Sequence, residues 1–281
     1  MGVTLDGIDL IITGAGGRLG RLLLAAGHAA PVPGLRLHAV GRNQNAHIQW
    51  DILTDPAPDW PLGAVVLHLA GVVRGDERSL AANEALVAPL TQACRRNRAC
   101  GLLFVSTAAV YAPHSEAASE TTPPAPQSPY GRAKLAAETA LTRHDPGCPV
   151  SILRLGNVVG ADALFGPRPE AEVITLDPVP GQPGGPLRSW IGLRSLWAVL
   201  ARLARAMARG EDLPGILNVA ASPPLPMADL LEAAGRAWHF GPPNPAVVPV
   251  AVMETARLQA LCALPPATPG SLIAERAALL P

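Results

Sequence analysis

Tyr130 and Lys134 stand four positions apart in the stretch SPYGRAKLAAE, residues 128–138. On a helix that spacing puts a phenol and an ammonium on one face, one turn apart. Free tyrosine has a pKa near 10, so only about 0.1% of it is phenolate at neutral pH. A cation held close favours the charged form, and the pair could then pass a proton near pH 7. The same two residues also suit the solvated face of an amphipathic helix, so the pair alone assigns no chemistry.

A second stretch supplies a reason for such a pair. In TGAGGRLG, residues 13–20, glycines fall at 14, 17 and 20, with another at 16. The run sits between an apolar segment and a helical one. Small residues there let the backbone approach a pyrophosphate, and a helix N-terminus presents free N–H groups to it. A tight turn alone would also need glycine; the position at a first strand-to-helix junction points to a dinucleotide. The next strand ends AVGRN, without the Asp or Glu that meets a free ribose 2′-hydroxyl. Arg42 stands there instead. It is either a solvated loop residue or a partner for a 2′-phosphate, and it leans the cofactor toward NADP over NAD.

The elements that must hold these residues read as strands alternating with helices. IDLIITG, LRLHAV, AVVLHLAG, GLLFVST and PVSILRLGNVVG are apolar runs, and HIQWDI is a further possible strand. RLGRLLLAAG, SLAANEALVAPLTQACRRN and YGRAKLAAETALTRH carry helical spacing. Continuous apolar strands between helices mean a parallel sheet covered on both faces. The expected class is therefore α/β: a Rossmann-type, doubly wound parallel sheet over residues 1–160. After about Gly160 the rhythm breaks. Residues 161–281 read as a smaller, proline-rich substrate-binding lobe, partly interwoven with the first. It has a helix LRSLWAVLARLARAMARG, a strand GILNVA and shorter helices MADLLEAAGRAW and SLIAERAALL.

Composition narrows the class further. The 281 residues are 49% hydrophobic and 16% charged, with no formal net charge, so a large core is available and nothing steers toward nucleic acid or an anionic membrane. Cys94, Cys100, Cys148 and Cys262 form no CxxC pair, and His28, His38, His47, His114, His144 and His239 show no ligand spacing; no metal is expected. His68, in an apolar strand end, reads as a packed, hydrogen-bonded histidine. No signal pattern or membrane-length apolar run is present, and a cytoplasmic location is the expectation.

Several fragments, in order, resemble the extended short-chain dehydrogenases/reductases, specifically the NAD(P)-dependent sugar-nucleotide epimerase/dehydratase group. TGAGGRLG is similar to its TGxxGxxG, YGRAK to its YxxxK and LRLGNVVG to its LRxxNVxG. WDILTD, HLAG and STAAVY resemble its adenine-side segment and two strand ends. The resemblance assigns cofactor contacts to Gly14, Gly17, Arg18, Leu19 and Gly20, to Asp51 and Ile52 beside the adenine, and to Leu69, Ala70 and Gly71 on the nicotinamide ribose side. It gives Thr107 a hydrogen bond to the substrate oxygen, with Ser106 its neighbour toward the cofactor; strand alternation turns only one of the two hydroxyls inward. Tyr130 would exchange the proton, and Lys134 would both favour the phenolate and hold the ribose hydroxyls.

On the substrate side the resemblance places Asn157 at the substrate and Arg188 at a diphosphate, for which a planar guanidinium is suited. A solvated loop arginine fits the same residue. Ala108 and Ala109 stand where a dehydratase has an Asp-Glu pair, which disfavours dehydration. The expected activity is Tyr/Lys/Thr-assisted hydride transfer on a nucleotide-activated sugar, as a 4-epimerase or 4-keto reductase. An NADPH-dependent reductase of a non-sugar aldehyde or ketone is the alternative. A non-catalytic cofactor sensor is a third, opposed by the intact Thr107, Tyr130 and Lys134. The resemblance also implies a homodimer through the helix 79–98 and the helix of Tyr130.

Overall fold

The computed structural model describes residues 7–113, 116–166, 169 and 172–279, so His114 and part of the proline-rich stretch after Gly166 lie outside the described residues. The chain begins with β1 (Ile8–Thr13), α1 (Arg18–Ala29), β2 (Leu35–Gly41), β3 (Ile48–Gln49) and β4 (Val65–His68). It continues with α2 (Glu77–Ala85), α3 (Val87–Arg96), β5 (Gly101–Thr107), α4 (Pro129–Arg143) and β6 (Val150–Leu155). The later elements are β7 (Asn157–Val158), β8 (Ile174–Leu176), β9 (Leu187–Ile191), α5 (Leu193–Ala208), β10 (Ile216–Val219) and β11 (Ala221–Pro226). The last are α6 (Met227–Ala233), β12 (Trp238–Phe240), β13 (Val250–Ala251), α7 (Ala256–Leu261) and α8 (Pro269–Ala277).

Seven parallel strands form the main sheet in the order β10-β6-β5-β4-β1-β2-β3. The strand order reverses between β1 and β4, which opens a crevice at their carboxyl ends where such sheets take ligands. β1 is sealed on both sides: Leu10 and Ile12 face one core with Leu22, Leu23, Trp197 and Leu200, and Ile11 faces the other with Trp50, Leu90 and Phe104. This two-sided burial is why the strands read as unbroken apolar runs. α5 packs on α1, and β10 extends the main sheet, so both belong to its layers.

Three boundaries differ from the sequence reading, each for a local reason. The expected helix 79–98 is two helices that meet at Leu86. Pro89 has no N–H for the Ala85 carbonyl and interrupts the ladder there. The expected strand through LRLGNVVG is cut at Gly156, whose N–H turns to the Val219 carbonyl at 3.0 Å. A Cβ at that position would meet the Ser189 carbonyl oxygen at 2.7 Å. β7 therefore leaves the main sheet and pairs with β9, carrying Asn157 opposite Trp190. MADLLEAAGRAW is helical only to Ala233, because Gly235 takes a φ of 62° and turns the chain into β12.

A second sheet forms around β9, which pairs β7, β11 and β13. Its core joins Trp190, Leu225, Leu230 and Leu231 to Leu164, Phe165 and Leu272. Among the described residues no helix is long and apolar enough to cross a membrane.

Candidate active site

The glycine turn after β1 is built by close approach. Gly14 has a φ of 72°, and a Cβ on it would stand 2.5 Å from the backbone nitrogen of Ala70. Glycine therefore does two things here: it reaches the left-handed region and lets the turn rest against the end of β4. Gly17 is the N-cap of α1 and has no side chain to accept its first N–H groups, and the first turn holds no acidic residue. These open donors and the helix dipole suit an anion. Arg18 closes one side by donating to the carbonyls of Asp162 (3.0 Å) and Phe165 (2.7 Å).

Three cavities run in line along the carboxyl ends of the strands. The first, about 400 Å³, is lined by Gly14 and Gly17, by Arg42, Trp50, Asp51 and Ile52, and by Leu69, Ala70 and Gly71. The second, about 320 Å³, shares Gly14, Gly17, Leu69 and Gly71 with it and adds Arg18, Leu19, Gly20, Ser106, Thr107, Tyr130, Lys134 and Asn157. The third, about 260 Å³, shares Thr107 and Asn157 with the second and adds Ala108, Ala109, Tyr111 and Arg188. All the residues assigned to cofactor or substrate from the sequence thus border one chain of cavities.

The phenol and the hydroxyl are brought together by α4 and β5. Ser128 caps α4 by accepting the Gly131 N–H at 3.0 Å, with Pro129 in the first turn. Any side chain at Gly131 would run into the Ala109 carbonyl, so glycine lets α4 settle on the turn Ala108–Val110 that follows Thr107. The Thr107 Oγ1 accepts the Ala109 N–H at 3.2 Å. Its own O–H proton remains able to donate to a substrate oxygen. Ser106 instead donates to Glu138, so of the two neighbouring hydroxyls Thr107 is the one facing the third cavity.

The electrostatics of the pair correct one expectation. Lys134 is buried, its Nζ lying 4.9 Å from the Phe104 ring centroid. Burial lowers its pKa to about 8, against the raising effect of Glu138. The Tyr130 phenol is not depressed in the folded chain; burial pushes it up to about 12. Desolvation penalises both charged forms, so Tyr130 is a phenol that keeps its proton at neutral pH. His68 is packed as expected, stacked on Phe104 with centroids 5.1 Å apart and bonded to Thr13.

Other assigned residues carry further partners. The Asp51 Oδ1 accepts the Leu53 N–H at 3.1 Å, and its Oδ2 lies 3.8 Å from exposed Arg42. Arg188 donates to the carbonyls of Leu187 and Val248, both at 2.8 Å, and burial lowers its pKa to about 10. Asn83 clamps the loop after Gly71, accepting from and donating to Val72. Sequence reasoning missed the buried Glu138–Arg154 ion pair at 2.7 Å and the Tyr111 hydroxyl bonded to Asn218. The signals were there: a carboxylate on the buried face of α4 and an arginine inside an apolar strand.

The sequence pattern described as the NAD dependent epimerase/dehydratase family matches residues 10–176. Among solved structures, MoeE5 in complex with UDP-glucuronic acid and NAD is 19% identical, with a TM-score of 0.74 over 97% of this chain and 100% of that one. UDP-glucose-4-epimerase from Stenotrophomonas maltophila, with bound NAD and formylated UDP-arabinopyranose, is 18% identical, with a TM-score of 0.76 over 96% and 98%. UDP-glucuronic acid 4-epimerase from Bacillus cereus, with UDP-glucuronic acid and NAD, is 18% identical, with a TM-score of 0.72 over 97% and 99%. At these identities the likeness is one of fold. No curated protein sequence matches the chain. The lean to NADP read from Arg42 finds no support, since these structures hold NAD and the guanidinium faces Asp51.

Proposed function

The chain belongs to the NAD-dependent epimerase/dehydratase family, and from that premise we propose that it is a 4-epimerase of a nucleotide-activated sugar. The observation that carries this is the position of Thr107: it borders both the cavity lined by Tyr130 and Lys134 and the cavity lined by Arg188. A hydroxyl at that junction can meet a substrate oxygen from either side. The matching folds that hold UDP-sugars and NAD favour a sugar nucleotide over a simple ketone.

The residues fit NAD. A Cβ at Gly14 would fill the close approach to Ala70, the N-terminus of α1 has no side-chain cap, and buried Ile52 and Trp50 line the far end. Gly14, Gly17, Arg18, Leu19 and Gly20 would hold the pyrophosphate, Asp51 and Ile52 the adenine, and Leu69, Ala70, Gly71, Ser106 and Lys134 the nicotinamide ribose side. When bound, NAD supplies a hydride acceptor and a positive charge beside the phenol.

Tyr130 receives the proton of the sugar hydroxyl and returns it when the carbonyl is reduced from the other face. Thr107 donates a hydrogen bond to the same oxygen and fixes it. Lys134 lowers the cost of the transient phenolate, which burial makes expensive. Asn157 and Arg188 bind the sugar nucleotide, the latter through its diphosphate. Ala108 and Ala109 offer no acid or base for eliminating water. The α2–α4 face, grooved beside Leu135 and Ala136, would join two copies of the chain.

The test is incubation with NAD and a panel of UDP-sugars, followed by NMR of the sugar and absorbance of the reduced nicotinamide. Interconversion of 4-epimers with no net reduced cofactor is expected. Stoichiometric NADH or NADPH consumption with a keto substrate would replace the epimerase with a reductase.

A further inference from the structure

On the helix of Tyr130 and Lys134 lies one end of a buried ion pair, Glu138–Arg154, that none of the steps above uses. Glu138 sits one helical turn beyond Lys134 on α4 and is 4% exposed. Its Oε1 accepts from Ser106 and from the Arg154 Nε at 3.2 Å, and its Oε2 accepts an Arg154 guanidinium nitrogen at 2.7 Å. Arg154 in turn covers the Tyr111 ring at 4.8 Å. Both ends of this cluster therefore touch the cavity walls, through Ser106 and through Tyr111.

Lys134 is the only lysine in the sequence; every other side chain of its charge class is arginine. Arginine stays protonated in any surroundings, whereas a buried lysine readily loses its proton. The groups facing Lys134 are Tyr130 and Glu138 from its own helix, His68 from β4 and Ser106 and Phe104 from β5, with Arg154 of β6 paired to Glu138 and Arg18 and Asp162 on the same cavity. His68 is neutral above about pH 3, Arg154 is committed to Glu138, and Asp162 accepts backbone N–H groups of Gly160, Leu164 and Phe165. Glu138 is the fixed negative charge that offsets the desolvation of the ammonium.

We propose that Glu138 is a positioning residue: locked by Ser106 and Arg154 one turn from Lys134, it keeps the ammonium charged beside Tyr130. The role in turnover rests on the hydride-transfer reading above, but the effect on Lys134 does not. Glu138 touches neither substrate nor cofactor and acts through Lys134 alone.

Protein grown with ¹³Cε-lysine gives one side-chain resonance, and its shift against pH reads the ammonium directly. The wild type should titrate near 8. Glu138→Gln keeps the shape and removes the charge, and should bring the midpoint down by about one pH unit or more. The alkaline limb of turnover should move with it. Should Glu138→Gln fail to fold, the double variant Glu138→Gln/Arg154→Met leaves no buried guanidinium unpaired, and a downward shift is still expected, smaller because a neighbouring cation is removed as well. An unchanged midpoint in the variant that folds would overturn the proposal. A shifted midpoint in a protein that interconverts no UDP-sugar would uphold it and count against the epimerase reading.

Discussion

Thr13 Oγ1 and His68 Nδ1 lie 2.8 Å apart at the carboxyl ends of β1 and β4, the two strands between which the sheet reverses. Burial, reinforced by the Lys134 charge, lowers the His68 pKa to about 3. The unfolded chain takes up this proton near pH 6.5, so the folded state binds fewer protons between the two values. The stability contribution is complete above pH 6.5 and is lost as the pH falls, by up to about 1.4 kcal/mol per pH unit. Urea midpoints between pH 7 and pH 4 should show this slope, and His68→Gln should remove this part of it. An equal slope in the variant would mean that His68 titrates normally.

Gly14→Ala should damage both fold and cofactor binding. The new methyl group would stand 2.5 Å from the Ala70 nitrogen on a backbone with a φ of 72°. A loss of about 1–3 kcal/mol in unfolding free energy is expected, with NAD binding weakened beyond what a calorimetric titration detects. Wild-type NAD affinity in this variant would mean that the turn does not approach the cofactor.

Arg42 is exposed and lies 3.8 Å from Asp51, so its removal should matter little. Arg42→Ala should change the dissociation constants of NAD and NADP alike, by less than about fivefold. Fluorescence titration with both cofactors separates this from a 2′-phosphate contact, which would weaken NADP alone.

Arg188 lines the third cavity while donating to backbone carbonyls. Loss of one charge-assisted anchor should raise the dissociation constant of UDP about 10–150-fold in Arg188→Ala. NAD affinity, measured on the same sample, should stay the same. Weakening of both would show a general loosening of β9 and β13.

The legible parts of the sequence were those whose cause is local. The glycine turn needs glycine wherever backbone meets backbone, and β1 is apolar throughout because both its faces are covered. The Tyr130–Lys134 spacing is fixed by the helix itself. What could not be read depends on partners far along the chain. Gly156 breaks a strand because of Ser189 and Val219, and Glu138 is buried because Arg154 and Ser106 reach it from neighbouring strands. The phenol, expected to be lowered by its lysine, is raised because the same burial that brings them together strips water from both.

The central claim is that Tyr130 moves the proton while its surroundings hold the cofactor and the sugar. The most direct measurement is the rate of 4-epimerisation by Tyr130→Phe, with NAD affinity determined on the same preparation. The phenyl ring keeps the packing and loses only the hydroxyl. The account predicts a fall in turnover of about 10²–10⁴-fold, with NAD affinity unchanged. Turnover at the wild-type rate with NAD bound would contradict it.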